Sequence, residues 1–375
     1  MRRNSLRQRP QLLFVEGLLI LFIGILLLTL VPWSQRFETQ VLATQLSFDV
    51  ELPQSEPSRR FLDSIRNIEQ IDLQGSYPDA LTLSGDFSDP KIGQQTELKI
   101  ELPYPYSQIQ LKPVEDANAP VVSDLELKTL QLQDETKVSA LRYTPFNRQL
   151  DLEFNHTDVP DPFNGSLVNI DLGPNPLLLT LVGYRLQLPN LKLEDPDGNQ
   201  PLTVTFTPDI TDLALALPQQ GSLSLELPSL EGQDTFRWFW GGLPVSDVEF
   251  ITAEQRGTDL LERSSIIQGK VRQGERTLDL EADQFLLLKN PGIQKLRYLQ
   301  LSEKEGIEVR GVGKSTNIQV GLDPDFPIKG LRSNFLTRFF PADTAIAIIS
   351  FAGAMIASLL VWLADNLFKS PNSDD

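Results

Sequence analysis

Apolar and polar residues alternate along most of this 375-residue chain, and this pattern constrains its fold more than any other feature. In runs such as ELKIEL, LTVTFT and SLSLEL, every second residue is apolar and its neighbours are charged or polar. A period of two is typical of antiparallel strands that place one face on a core and the other in water. Turns rich in Pro, Gly and Asp separate the runs. We therefore predict a mainly β fold, an antiparallel β-sandwich or jelly-roll-like ectodomain.

Fifteen runs between residues 46 and 322 are examples of this alternation and are predicted to be strands. They are 46–52, 80–87, 97–102, 108–112, 125–133, 149–154, 184–188, 202–207, 213–217, 222–227, 265–271, 277–282, 295–301, 307–312 and 317–322.

One segment departs from this period. In SRRFLDSIRNIEQI, residues 58–71, the apolar residues Phe61, Ile65 and Ile68 recur at helical spacing, and Ser58 can cap a helix. We therefore predict a helix here. Its three arginines either contact a partner or belong to a solvated helix that lies on a sheet: Arg59, Arg60 and Arg66.

A long apolar run lies near each end of the chain. Residues 12–33 and 344–364 are each long enough to cross a hydrocarbon layer of about 30 Å as a helix. Four arginines precede the first run, which predicts a cytoplasmic N-terminus. The apolar core exceeds the roughly 7–15 residues of a signal peptide, and no cleavage motif follows closely. We therefore expect two retained transmembrane helices that hold the ectodomain between them.

Two spans divide the chain between the two sides of the plasma (inner) membrane. The sequence predicts cytoplasmic tails at 1–11, which is basic, and at 365–375. Residues 36–343 would be extracytoplasmic, or periplasmic. We expect a β-sandwich ectodomain over 36–230 and a second β-rich region over 231–341, a meander that is either separate from the first or continuous with it.

Charge and composition exclude several kinds of site. The formal net charge is −17, and because residues 1–35 carry +3 and residues 344–375 carry −2, the part between them carries −18. Such an acidic body repels nucleic acid, so no nucleic-acid partner is expected. The absence of cysteine excludes disulfides, thiol nucleophiles and zinc–thiolate sites. The single histidine, His156, lies in a polar stretch and is interpreted as a solvent-facing loop residue.

The second apolar run is rich in small residues at i, i+4 spacing. Such spacing lets two helix backbones approach closely within a membrane. We predict that this face packs on the first helix, on a second copy of the chain or on another membrane protein. The residues are Ser350, Gly353, Ala354, Ala357 and Ser358.

An aromatic stretch, FRWFWGGLP, occupies residues 236–244. As a strand it would place Phe236, Trp238 and Trp240 on one face. Exposed rings would suit a stacking platform for glycans, a surface that rests on the membrane or a partner contact. Rings between two sheets would instead fill the core.

Two short motifs resemble known sites but lack an essential part. GVGKST, residues 311–316, has Glu308 where a phosphate-binding loop needs glycine, so we predict a hairpin between strands. DPDGN, residues 195–199, matches half of a calcium loop, but the closing glutamate is Phe206. A tight turn is the expected structure.

No catalytic residue, cofactor or metal site is predicted. We expect a non-enzymatic, membrane-anchored β-protein that serves as an accessory, structural or interaction subunit of a cell-envelope membrane complex. A binding module for envelope polysaccharide or another ligand, built on the 236–240 aromatics, is an alternative. A hydrolase with a pair of acids is a second alternative, because carboxylates are abundant.

Overall fold

A computed structural model describes residues 5–77, 79–114, 123–156, 165–188, 191–228, 237–256, 259–289, 291–302 and 305–368. Its helices are α1 (Ser5–Leu30), α2 (Phe335–Phe339) and α3 (Ala342–Phe368). The strands are β1 (Gln35–Ala43), β2 (Gln45–Val50), β3 (Ser58–Ile65), β4 (Gln70–Gly75), β5 (Leu81–Asp89), β6 (Gly93–Glu101), β7 (Gln108–Pro113), β8 (Glu126–Gln133), β9 (Thr136–Thr144), β10 (Gln149–His156), β11 (Leu167–Asp171), β12 (Leu177–Val182), β13 (Arg185–Leu188), β14 (Leu191–Glu194), β15 (Leu202–Pro208), β16 (Asp212–Ala216), β17 (Gln220–Glu226), β18 (Arg237–Glu249), β19 (Ile251–Arg256), β20 (Asp259–Ser264), β21 (Ile266–Gln273), β22 (Arg276–Leu280), β23 (Phe285–Leu288), β24 (Gly292–Ser302), β25 (Gly306–Ser315), β26 (Asn317–Gly321) and β27 (Lys329–Arg332).

The protein is mainly β, with large antiparallel sheets between two apolar helices, as the alternation predicts. Every strand predicted from the alternation overlaps an observed strand. β15 illustrates why. Its side chains at Leu202, Val204 and Phe206 are buried, and those between them are exposed. Burying such a side chain contributes on the order of 2 kcal/mol, which fixes the face that each strand turns inward.

Eighteen strands form one continuous antiparallel sheet, here called the long sheet. Three smaller sheets comprise β3–β8–β11–β16, β23–β26–β27 and β19–β20. The order of the long sheet is β22–β21–β1–β25–β24–β18–β2–β9–β10–β17–β4–β7–β12–β15–β5–β6–β13–β14.

Strands from distant parts of the sequence meet in the long sheet. β1 lies between β21 and β25, although more than 200 residues separate it from either partner in the sequence. The predicted boundary at residue 230 falls within 229–236, outside the described residues. The division into 36–230 and 231–341 therefore stays a prediction.

The helix predicted over 58–71 is wrong, because this segment forms β3 and the start of β4. A register shift against β8 between Arg60 and Leu62 buries Phe61 and Leu62 side by side. Ser64 has a positive φ of 56°. The bulge and this left-handed residue interrupt the strict alternation, which produces a spacing that imitates a helix.

The arginines of this segment all have acidic partners. Arg59 pairs with Glu56, and Arg60 Nη1 lies 3.7 Å from Asp63 Oδ2. Arg66 Nε lies 3.3 Å from a carboxylate oxygen of Glu126. The basic patch that the sequence suggests is therefore largely neutralised by neighbouring acids.

The GVGKST motif is not the predicted hairpin, because its first five residues belong to β25. The strand expected after it is confirmed as β26, and it joins a different sheet. Glycine at position 313 has a packing cause. A Cβ atom there would lie 2.0 Å from the carbonyl oxygen of Gly292 on β24, so any side chain would clash with backbone.

Candidate interaction site where the helices meet the sheets

Two helices of the structure are long and apolar enough to cross a membrane, at Leu13–Leu30 and Asp343–Asp365. They lie side by side. The rings of Phe22 on α1 and Phe351 on α3 meet edge to face with centroids 5.9 Å apart. Phe22 and Ala352 are buried, whereas most of their helical neighbours are exposed. The two apolar helices therefore form a pair rather than leaving the sheets at separate points.

Short backbone contacts join the chain where it leaves α1 to the chain where it enters α2. The amide of Trp33 donates to the carbonyl of Ser333 at 3.3 Å, and the amide of Phe335 donates to that of Val31 at 3.2 Å. The rings of Trp33 and Phe335 meet edge to face at 5.8 Å. Tryptophan favours the interface between hydrocarbon and water, so the position of Trp33 suits the surface of a membrane.

A buried polar network extends from the contact between Trp33 and Phe335 into the sheets. Ser333 Oγ donates to Gln273 Oε1 at 2.9 Å and lies 3.3 Å from Gln35 Oε1. Gln273 Nε2 donates to the carbonyl of Ser315 at 3.4 Å, and Ser315 Oγ lies 2.7 Å from the carbonyl of Lys289. Ser333, Gln273 and Ser315 are all buried. Because buried polar groups are costly to leave unpaired, the network fixes the helix pair to β1, β21 and β25.

The small residues predicted for helix packing are placed mainly away from α1. Ser350, Ala354, Ala357 and Ser358 are exposed, and Gly353 is half-buried. A Cβ atom at Gly353 would meet nothing within 4 Å. Ala345 and Ala352, which the sequence reasoning did not choose, are the buried small residues of α3. The face of Ser350, Gly353, Ala354, Ala357 and Ser358, here called the small-residue face, stays a prediction for contact with a further helix.

The aromatic stretch is described only in part. Phe236 lies outside the described residues, and the side chains of Trp238 and Trp240 are likewise not described. The backbone from Arg237 onward forms β18, which pairs with β24 and β2. Ligand or partner contact by these three residues stays a prediction.

His156 is buried at the end of β10, so its interpretation as a solvent-facing loop residue is wrong. Its Nδ1 atom lies 2.8 Å from Thr136 Oγ1, and that hydroxyl donates to the carbonyl of Gln133. Nδ1 therefore carries the proton and donates to Thr136. The Nε2 atom is buried without a hydrogen-bond partner among the described residues. Burial lowers the pKa of His156 to about 4, which keeps the ring neutral.

Asp171 of β11 faces two acids of the four-stranded sheet, Glu126 on β8 and Asp212 on β16. The carboxylates of Asp171 and Asp212 share one cation. Lys128 lies between them, with Nζ 2.9 Å from Asp171 Oδ2 and hydrogen-bonded to Asp212. Burial pushes the pKa of Asp171 up, but hydrogen bonds from Lys128 and the Gly173 amide outweigh this and lower it. The hydrogen bonds that Lys128 donates to Asp212 and Asp171 raise the pKa of Lys128. The arrangement is one ammonium group held between two carboxylates, with a formal charge of −1 for the three side chains.

Asp195 occupies the tight turn predicted for DPDGN. Its carboxylate is buried and accepts hydrogen bonds from the amides of Gly183 and Gln200, at 3.2 and 3.0 Å. Within the ranges that the structure describes, no group of three or more His, Asp or Glu side chains is arranged to hold a metal ion.

Three features make up the candidate interaction site: the paired helices, the polar network beneath them and the exposed small-residue face. Sequence reasoning missed the network, because its members are ordinary polar residues that are distant in the chain. Comparison with protein-family profiles, with curated proteins and with solved structures found no match to this chain.

Proposed function

We propose that this protein is a membrane-anchored extracytoplasmic β-protein that acts by contact, as an accessory or interaction subunit of a cell-envelope membrane complex. In this proposal α1 and α3 cross the plasma membrane and both termini are cytoplasmic. The sheets of residues 36–343 lie outside and present an acidic body. The proposed role is non-enzymatic.

One observation carries the proposal. The helices leave the sheets as a pair, yet the small-residue face of α3 does not face α1. Small residues at i, i+4 spacing favour close packing of helices where lipid supplies no hydrophobic drive. A second copy or another membrane protein therefore has a surface on which to pack.

The ectodomain suits contact through its folded surface. Phe48 of β2 and Phe61 of β3 meet at 5.5 Å, so the four-stranded sheet packs on the long sheet there. This two-layer contact supports a sandwich-like arrangement as part of the proposal. A glycan is a further candidate ligand for the 236–240 stretch.

The test uses the full chain, purified in mild detergent and examined by native mass spectrometry. We expect the wild type to retain a second copy or a defined membrane protein. Ala354→Leu combined with Ala357→Leu should release it, because larger side chains hold the helix backbones apart.

The control variant combines Ile346→Leu and Leu360→Ile, which keep the volume of two other exposed side chains on α3. It should keep the partner. A wild type that purifies as a monomer with nothing bound, or a partner that survives the two leucines, would contradict the proposal.

A further inference from the structure

A groove lined by cations lies on the outer face of β21, β1, β25 and β24. Five basic side chains and one acid line this open space of about 880 Å³. The basic residues are exposed, and we call the site the basic groove: Arg36, Arg272, Lys295, Arg297 and Lys314, with Glu38.

Strand register brings these residues together from distant parts of the sequence. Arg36 lies directly opposite Lys314, and Glu38 lies opposite Arg272 on the other side of β1. Lys295 lies on β24, the next strand of the long sheet after β25. The formal charge of the groove is therefore strongly positive, whereas residues 36–343 as a whole carry −18.

The groove cations differ in their partners from the three arginines of residues 58–71. In the described part of the chain, none of the five has an acidic oxygen within ion-pair distance, whereas Arg59, Arg60 and Arg66 each have one. Two cations directly opposite each other on neighbouring strands repel, so the pairing of Arg36 with Lys314 is unfavourable when the groove is empty. An anion in the groove would remove this repulsion.

The basic groove lies close to the end of the helix pair, and this position indicates which kind of anion it binds. Arg36 is three residue steps, at most about 11 Å of extended chain, from Trp33, which lies at the end of the apolar helix pair. Arg36 and Glu38 are two residues apart on β1, which adds about 7 Å. The groove therefore begins within about one Debye length of the polar headgroups, if α1 and α3 cross the membrane.

We infer that the basic groove binds the phosphate headgroups of anionic phospholipids in the leaflet that faces the ectodomain. This inference rests on the membrane anchoring given under the proposed function. Arginine and lysine bind phosphate by charge-assisted hydrogen bonds, and basic residues at a membrane surface attract anionic lipid. The groove would hold the acidic ectodomain against a surface that otherwise repels it.

The test compares lipid binding by full-length variants in detergent. Native mass spectrometry counts the phosphatidylglycerol and phosphatidylcholine molecules retained at 50 and 500 mM salt. The wild type should prefer phosphatidylglycerol and lose much of this preference at the higher salt concentration. Arg36→Gln, Lys295→Gln and Lys314→Gln together should weaken phosphatidylglycerol binding at least about tenfold and leave phosphatidylcholine binding unchanged.

The matched control removes the same net charge elsewhere, with Lys91→Gln, Lys99→Gln and Lys137→Gln at exposed positions of the long sheet and its turns. It should bind phosphatidylglycerol as the wild type does, because its basic groove is unchanged. Lipids held around the helices are common to all three proteins and do not affect the comparison. Equal losses in both variants, or undiminished binding by the groove variant, would overturn the inference. Circular dichroism confirms that each variant is folded. A chain that stays soluble without detergent would instead contradict the anchoring itself.

Discussion

At the scale of single residues, the clearest physical consequence concerns His156. A neutral imidazole is buried with one nitrogen unpaired, and its pKa falls to about 4 from an ordinary value near 6.5. The unfolded chain therefore takes up a proton between these two pH values, and the folded chain does not. The stability that follows from the neutral ring is present above pH 6.5 and is lost as the pH falls towards 4.

We expect the free energy of unfolding to fall by at most about 3 kcal/mol through this group between pH 6.5 and pH 4. Urea unfolding of the detergent-solubilised full chain at several pH values measures it. His156→Gln, which cannot titrate, should flatten this part of the pH profile relative to the wild type. Parallel profiles for the two proteins would show that His156 does not carry the effect.

The burial of His156 could not be predicted from the sequence around it. His156 is followed by Thr157, Asp158 and Pro160, which suggests a loop. The strand instead continues through Asn155 to His156, where its amide donates to Gln219 at 2.7 Å. Burial at the last residue of a strand depends on the strands beside it, and the local sequence does not contain that information.

At the scale of elements, alternation predicted strands well wherever it was uninterrupted, as in β15 and β17. It failed over 58–71, because a bulge placed Phe61 and Leu62 on the same side. It also could not predict partners. The basic groove and the polar network both depend on β1 pairing with β21 and β25, and residues 36, 272 and 314 share no local pattern.

The polar network makes a prediction at this scale, because Gln273 connects the end of β21 with β25 and with the chain that enters α2. Gln273→Ala should leave Ser333 and the Ser315 carbonyl with fewer partners and lower the free energy of unfolding by about 1–3 kcal/mol. Urea unfolding of the full chain measures this loss.

Gln268→Ala is the matched control, since Gln268 is exposed on the same strand. It should change stability by less than about 0.5 kcal/mol. Limited proteolysis adds a local readout, because a loosened junction should be cut between β27 and α2 in Gln273→Ala first. Equal stability of the two variants would show that the network does not hold the helices to the sheets.

At the scale of the whole molecule, the distribution of charge and the placement of the two apolar helices favour the same orientation in a membrane. Four arginines precede the apolar part of α1, and a helix pair that crosses the membrane as proposed would return the chain to the side from which it started. The body of −18 would then lie on the opposite side, with the basic groove next to the lipid surface. An inverted arrangement would place the arginine-rich tail outside, against the usual preference.

The absence of cysteine allows this orientation to be tested with single introduced thiols. Phe146, at the turn between β9 and β10, is fully exposed, with 99% of its surface accessible. In intact cells whose outer barrier admits the reagent, a membrane-impermeant maleimide should label Phe146→Cys. It should label Ser373→Cys, in the predicted C-terminal tail, only after the plasma membrane is permeabilised. Because both variants carry one thiol on the same chain, the comparison is internally matched, and the reverse labelling pattern would place the sheets inside the cell and exclude the proposed orientation.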